Sequence, residues 1–98
     1  MLKTPAEIKR VLDHGRRVAG RWVNIYRLPQ KDTRFAVLVS RRLGKAVRRN
    51  RMKRLVREIY RLHPEWFEHR HTVIYLKRFG NNFLDLQNEI KRLVEKTS

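Results

Sequence analysis

Two hydrophobic periods alternate along this chain and predict most of its elements. Thr4-Pro5-Ala6-Glu7 has the form of a helix-capping box, with proline at the first helical position. Ile8, Val11 and Leu12 follow at helical spacing, and Gly15 supplies a stop. Arg21 to Leu28 then reads as a strand, with Val23 and Ile25 on one face and Trp22 and Tyr26 on the other. Pro29 to Thr33 is a polar connection consistent with a hairpin. Phe35 to Val39 is apolar without interruption, as expected of a central strand covered on both faces.

The second half repeats the alternation. Ala46 to Leu62 predicts the longest helix, closed by Pro64 just after His63. Thr72 to Lys77, rich in β-branched and aromatic residues, predicts a strand, and Gly80-Asn81-Asn82 breaks it. Phe83 to Glu95 predicts a last helix, with Phe83, Leu86, Ile90, Leu93 and Val94 on one side. No internal repeat or low-complexity stretch interrupts the pattern. The order α-β-β-α-β-α predicts an α+β sandwich, one domain over residues 1–98 with helices packed on one sheet.

Composition changes the picture in one respect. Hydrophobic residues make up 41% of the 98, enough for a core, but 25 Lys and Arg face nine acids, a formal charge of +16. Such an excess repels itself in a compact state, and a polyanion relieves the repulsion while releasing condensed counterions. No apolar run approaches the ~18 residues of a spanning helix, and no signal peptide or lipidation motif is visible, so a membrane is not the expected partner. Without cysteine there are no disulfides, cysteine-held zinc or thiol chemistry, which suits a cytoplasmic protein.

The charge is concentrated. Between Arg41 and Arg61 lie ten Lys or Arg and one acid, Glu58. At about 100° per residue, Met52, Leu55, Ile59 and Leu62 fall on one side of the helix, with Val56 at the edge. Asn50, Lys53, Arg54, Arg57 and Arg61 fall opposite, flanked by Arg49 and Arg51, while Arg48 belongs at the helix start. Arg41-Arg42-Leu43-Gly44-Lys45 adds cations ahead of the helix, and Gly44 permits close backbone approach. Guanidinium forks fit phosphate with two parallel hydrogen bonds. Six such contacts would give log K against log salt a slope of roughly −4 to −5. Solvated, membrane-surface and calmodulin-target helices are the plainer readings of a basic face. Ordinary solvated faces mix both signs, and this one is almost wholly cationic, so it is read as a nucleic-acid surface. Charge alone does not choose between DNA and RNA.

The run Arg42-Leu43-Gly44-Lys45-Ala46-Val47-Arg48-Arg49-Asn50-Arg51-Met52-Lys53-Arg54-Leu55-Val56-Arg57-Glu58 resembles the signature of the bacterial ribonuclease P protein family, centred on its Arg-Asn-Arg motif. The likeness also takes in the opening helix ending at His14-Gly15, the strand through Tyr26, and Phe35 to Ser40. It implies an αβββαβα sandwich with a left-handed βαβ crossover, where general rules favour the right-handed form. The additional strand would come from Val18 to Gly20 or from a split before Tyr26. It implies, too, that an RNA subunit is the catalyst and holds most of the Mg2+, so that no catalytic residue, protein-held metal or obligate protein partner is expected. The protein would bind ribonuclease P RNA and precursor tRNA and assist removal of the 5′ leader. By position, Arg49, Asn50, Arg51, Lys53, Arg54 and Arg57 would meet the catalytic RNA, with Arg41, Arg42, Lys45, Arg48 and Arg61 extending the contact. A cleft between the first helix and the sheet, with Ile8, Leu12 and Tyr26, would take the leader. The family commonly has phenylalanine where this chain has Ile8 and Leu12.

Other residues carry plainer readings. His69 and His71 lack a third ligand nearby, His14 reads as a helix-terminal residue, and the acids form no paired-carboxylate motif. Trp22, Trp66 and Phe67 read first as core or loop anchors. The rival functions are a structural ribosome-associated protein, a DNA regulator using the second helix, for which a helix-turn-helix partner is missing, and an autonomous nuclease.

Overall fold

The computed structural model describes residue 2 and residues 4–97. The elements run α1 (Pro5–His14), β1 (Arg16–Ala19), β2 (Val23–Pro29), β3 (Arg34–Val39), α2 (Ala46–Leu62), β4 (Arg70–Leu76) and α3 (Phe83–Lys96), with one-turn 3-10 helices at Arg41–Leu43 and Pro64–Trp66. This is the αβββαβα order. The strand missing from the periodicity is β1, whose exposed Arg16, Arg17 and Ala19 give no apolar alternation. It pairs antiparallel with β2, Val18 opposite Ile25.

The strand order is β1-β2-β4-β3. This corrects two expectations. Pro29 to Thr33 does not close a hairpin, because β4 lies between β2 and β3 and is antiparallel to one and parallel to the other. The central, doubly covered strand is β4, where Thr72, Val73, Ile74 and Leu76 are all buried. β3 is an edge whose later residues, Val37 to Val39, are only half-buried. An edge strand needs its outer polar groups covered, and the Leu2 N–H does part of this by donating to the Phe35 carbonyl at 3.1 Å. β3 and β4, adjacent and parallel, are joined through α2, as a crossover connection requires.

Helices α2 and α3 cover one face of the sheet. There Val23, Ile25, Phe35, Ile74 and Leu76 meet Met52, Val56, Ile59, Leu86, Ile90 and Leu93 in the main core. Burying a side chain of this size contributes about 1.5–3 kcal/mol, so α3, with Leu86, Ile90 and Leu93 fully buried, is held chiefly by packing. On the other face α1 rests on a smaller cluster of Leu2, Val11, Ala36 and Val73. Thr4 Oγ1 accepts from the Glu7 N–H at 3.2 Å, as the capping box predicts. Glu7 does not reciprocate; its carboxylate takes Arg34 at 3.2 Å and ties α1 to β3. α1 ends where Gly15 turns extended, with ψ 156, and a Cβ there would lie 2.4 Å from the Val11 carbonyl oxygen, which reserves the position for glycine.

Two polar groups are bound inside. Glu89 of α3 accepts the backbone N–H groups of Arg21, Trp22 and Val23 at 2.5, 2.9 and 3.1 Å. Arg27 is buried and donates to the Val94 carbonyl, to Thr97 Oγ1 and to the Trp66 carbonyl, fastening the end of α3 to the sheet. Burial, followed by the repulsion of Arg70, lowers the Arg27 pKa to about 10. Trp22 sits just before β2 and packs with the α2 and α3 core rather than on the Tyr26 face. The strand begins one residue later, so period-two counting does not reach it.

Candidate nucleic-acid interface

α2 spans the residues its periodicity predicts, but its buried line is turned slightly. Met52, Val56 and Ile59 are fully buried, so Val56 is central rather than marginal. Leu55 is half-buried, and Leu62 leaves the stripe at 47% exposure. The shift brings Arg49 to the edge of the packed side, half-buried, with its Nε buried and unpaired in the protein. Lys53 is half-buried on the same side. Asn50, Arg51, Arg54, Arg57 and Arg61 are exposed on the outer face, as the periodicity requires.

The segment ahead of the helix is shaped by Ser40 and Gly44. Ser40 Oγ accepts the Arg42 N–H at 3.2 Å, and buried Leu43 anchors the 3-10 turn. Gly44 has φ 92 and ψ −139, a conformation that disfavours any residue with a Cβ. Arg41, Arg42 and Lys45 are carried on this turn and its exit, all exposed. Arg48 is exposed at the first turn of α2, its guanidinium carbon 5.3 Å from the centre of the Phe79 ring.

Electrostatically this face is uncompensated. Among the described residues, ion pairs engage Arg34, Arg61, Arg92, His63 and His71 only. Arg61 is thus the exception on α2: its Nε donates to Glu58 Oε2 at 3.0 Å, and its second nitrogen bonds the other oxygen. That bond lowers the Glu58 pKa, and the carboxylate in turn raises that of Arg61. Val47, Asn50, Arg51, Arg54 and Leu55 line an open depression of about 510 Å³, with Val47 at 76% exposure. Apolar contact there is bordered by guanidinium groups, an arrangement that suits a sugar or base edge with its phosphate.

On the opposite face of the sheet, Ile8, Leu12 and Tyr26 are brought together, each half-buried against Val11, Ala36 and Val73. Across the strands Tyr26 aligns with Val73 and Val73 with Ala36; the next row is Asn24, Tyr75 and Leu38. Tyr75 and Leu38 are half-buried and lie on the same face of the sheet as Tyr26. Sequence reasoning missed both. The signal was the two-residue spacing from Val73 to Tyr75, legible only once β4 is known to be central.

The two histidines diverge. His69 has φ 56 and its Nδ1 lies 3.2 Å from the Lys31 carbonyl oxygen, whereas His71 Nε2 is 2.7 Å from Asp32 Oδ1. Asp32 also accepts from Arg34 Nε at 2.6 Å; the Arg34 bond and then the His71 bond lower its pKa to about 2. Trp66 stacks on His63 at 3.9 Å, and Phe67 is fully buried, so both serve the loop after α2. Among the described residues no group of three or more His, Cys, Asp or Glu is placed to hold a metal ion, and no helix is long and apolar enough to cross a membrane.

Known proteins share both this sequence and this architecture. A family model described as Ribonuclease P matches residues 1–98. The ribonuclease P protein component of Clostridioides difficile is 33% identical, over 98% of this chain and 90% of its own length. That of Caldanaerobacter subterraneus is 35% identical over 98% and 87%. Among solved structures, the Staphylococcus aureus RNase P protein superposes with a TM-score of 0.83 at 26% identity, over 97% of this chain and 92% of that one. The Thermotoga maritima RNase P protein, in complex with 1-(4-fluorophenyl)-2-thiourea, gives 0.88 over the whole of both chains; at 20% identity it speaks for the fold alone. With a matching family model over its full length, and relatives this similar over nearly all of theirs, the chain belongs to the ribonuclease P protein family.

Proposed function

We propose that this protein is the non-catalytic subunit of a ribonuclease P ribonucleoprotein, which removes the 5′ leader of precursor tRNA. The observation that carries this reading is the uncompensated outer face of α2, continuous with Arg41, Arg42 and Lys45 and found in a member of the family. Arg49, Asn50, Arg51, Lys53, Arg54 and Arg57 would meet the catalytic RNA, the cations among them neutralising its phosphates. Desolvating cations that lack acidic partners breaks no ion pair, so binding there loses little internal energy. Arg61 would first have to exchange Glu58 for a phosphate and is the weaker contributor.

The leader of precursor tRNA would lie along the α1 face, against Ile8, Leu12 and Tyr26. Aliphatic side chains at two of these places give apolar contact without stacking, which lowers base discrimination relative to an aromatic pair. Mg2+ in this reading is held by RNA and supplies the activated water. Four of the nine acids are already engaged, Asp32, Glu7 and Glu58 by arginines and Glu89 by backbone N–H groups. What the protein contributes is screening of RNA self-repulsion, so that the active RNA conformation and its ions form at lower Mg2+. Reconstitution tests this: with a bacterial ribonuclease P RNA at low Mg2+, single-turnover cleavage of precursor tRNA should rise on adding the protein. No gain would reject the assignment, and cleavage without any RNA subunit would make the protein itself the nuclease.

A further inference from the structure

We propose that the corner around Trp22 is a second RNA site, a pocket for one unpaired nucleobase, separate from the outer face of α2 and from the cleft beneath α1. The inference rests on the reading of this chain as an RNA-bound protein and adds a place and a ligand class to it. Trp22 and Phe79 form two walls of a cavity of about 370 Å³, completed by the Gly80-Asn81-Asn82 loop, Asp85 and Leu86. Both aromatics are only half-buried. The indole lies close against the loop because Gly80 has no side chain; a Cβ there would come within 3.0 Å of Trp22 Cδ1.

Polar groups are sorted in this corner. Within the cavity are neutral amides and one carboxylate: Asn82 Oδ1 caps α3 by accepting the Asp85 N–H at 3.0 Å, leaving its NH2 to donate, while Asn81 is exposed beside it. Donors, an acceptor and aromatic walls suit a planar polar ring, and the carboxylate disfavours a phosphate inside. The cations stand on the rim. Arg21 lies over the Trp22 ring at 5.1 Å and Arg48 over Phe79 at 5.3 Å. A neighbouring depression of about 300 Å³ is lined by Gly20, Arg21, Arg42, Lys77 and Arg78 without an acid. A base in the cavity would thus leave its phosphates among arginines, the combination that single-strand-binding surfaces use. Arg42 and Arg48 make the site continuous with the cations around the start of α2. The corner is also preformed, since Glu89 fixes the backbone of Arg21, Trp22 and Val23 by three hydrogen bonds.

The test uses the full chain carrying Trp66→Phe, in which Trp22 is the sole tryptophan, and an unstructured eight-nucleotide oligouridylate as probe. Saturable quenching of Trp22 fluorescence is expected, with the same midpoint as the anisotropy of a labelled oligonucleotide. Asn81→Ala and Trp22→Leu should each weaken binding, the latter at least about fivefold. Lys31→Glu, in the exposed connection at the far end of β2 from Trp22, should leave the quenching intact. Oligonucleotide binding without quenching, or with affinity unchanged in Asn81→Ala, overturns the proposal; the first readout needs no substitution at the site, so misfolding of Trp22→Leu cannot obscure it. Quenching without any gain in precursor cleavage would support the pocket while rejecting the ribonuclease P reading, and cleavage gain without quenching would do the reverse.

Discussion

In a chain with nine acids among 98 residues, placing one carboxylate in the interior has consequences that can be worked out for Glu89. It is 3% exposed and accepts three backbone N–H groups from a single turn, at 2.5, 2.9 and 3.1 Å. Hydrogen bonds to a charged acceptor contribute about 1.5–3 kcal/mol each, and an orphaned buried donor costs about 1–3 kcal/mol. After Glu89→Ala, water can reach the exposed Arg21 backbone, while the buried Val23 N–H stays unsatisfied. The expected loss is therefore about 3–5 kcal/mol rather than the full sum. For a domain near 100 residues that corresponds to a fall in Tm of at least about 12 °C. Glu89→Gln keeps the packing and one acceptor but turns an NH2 toward a donor, and should cost roughly half as much. Gly20→Ala approaches the same contact from the other side, since its Cβ would lie 2.6 Å from Glu89 Cδ. Combined with Glu89→Ala it should be less than additive. Urea unfolding followed by circular dichroism measures each loss. A loss below about 1 kcal/mol in both Glu89 variants would refute the reasoning, because the three contacts would then be replaceable by water.

Two further outcomes follow from other contacts. Asp32 has its pKa lowered from 3.8 to about 2, first by Arg34 and then by His71, so its contribution is present above pH 4 and is lost as pH falls toward 2. Urea midpoints of the wild type and Asp32→Asn should differ at pH 5 and converge near pH 2; a gap that persists there would contradict this origin. Leu12→Phe puts a ring that can stack in place of an aliphatic side chain, and should tighten binding of precursor tRNA several-fold without affecting mature tRNA. Equal effects on both would remove Leu12 from the proposed leader contact.

What the sequence disclosed depended on how local each signal was. α2 was legible to the residue, because seventeen consecutive positions carry one period and Pro64 ends it. Its rotation was less so: Leu62 is apolar yet lies open at 47%, and Arg49 turns toward the packed side. Sheet order was not legible. Pro29 to Thr33 has turn composition, but Thr72 to Leu76, distant in sequence, takes the place between β2 and β3. Pairing is decided by which strand can be covered on both faces, a global property that no single segment displays. The Arg-Asn-Arg run is contiguous in the chain, whereas Tyr75, Leu38 and the Trp22 corner depend on strands and loops far apart in it.

If the outer face of α2 is the RNA contact, the salt dependence of binding to ribonuclease P RNA tests it most directly. Wild-type protein should give a slope of log K against log salt of roughly −4 to −5. Arg51→Glu with Arg54→Glu should bind at least about tenfold more weakly, with a slope shallower by about 2 and an unchanged melting temperature. A doubly reversed protein that keeps both the affinity and the slope of the wild type would place the RNA elsewhere on the molecule.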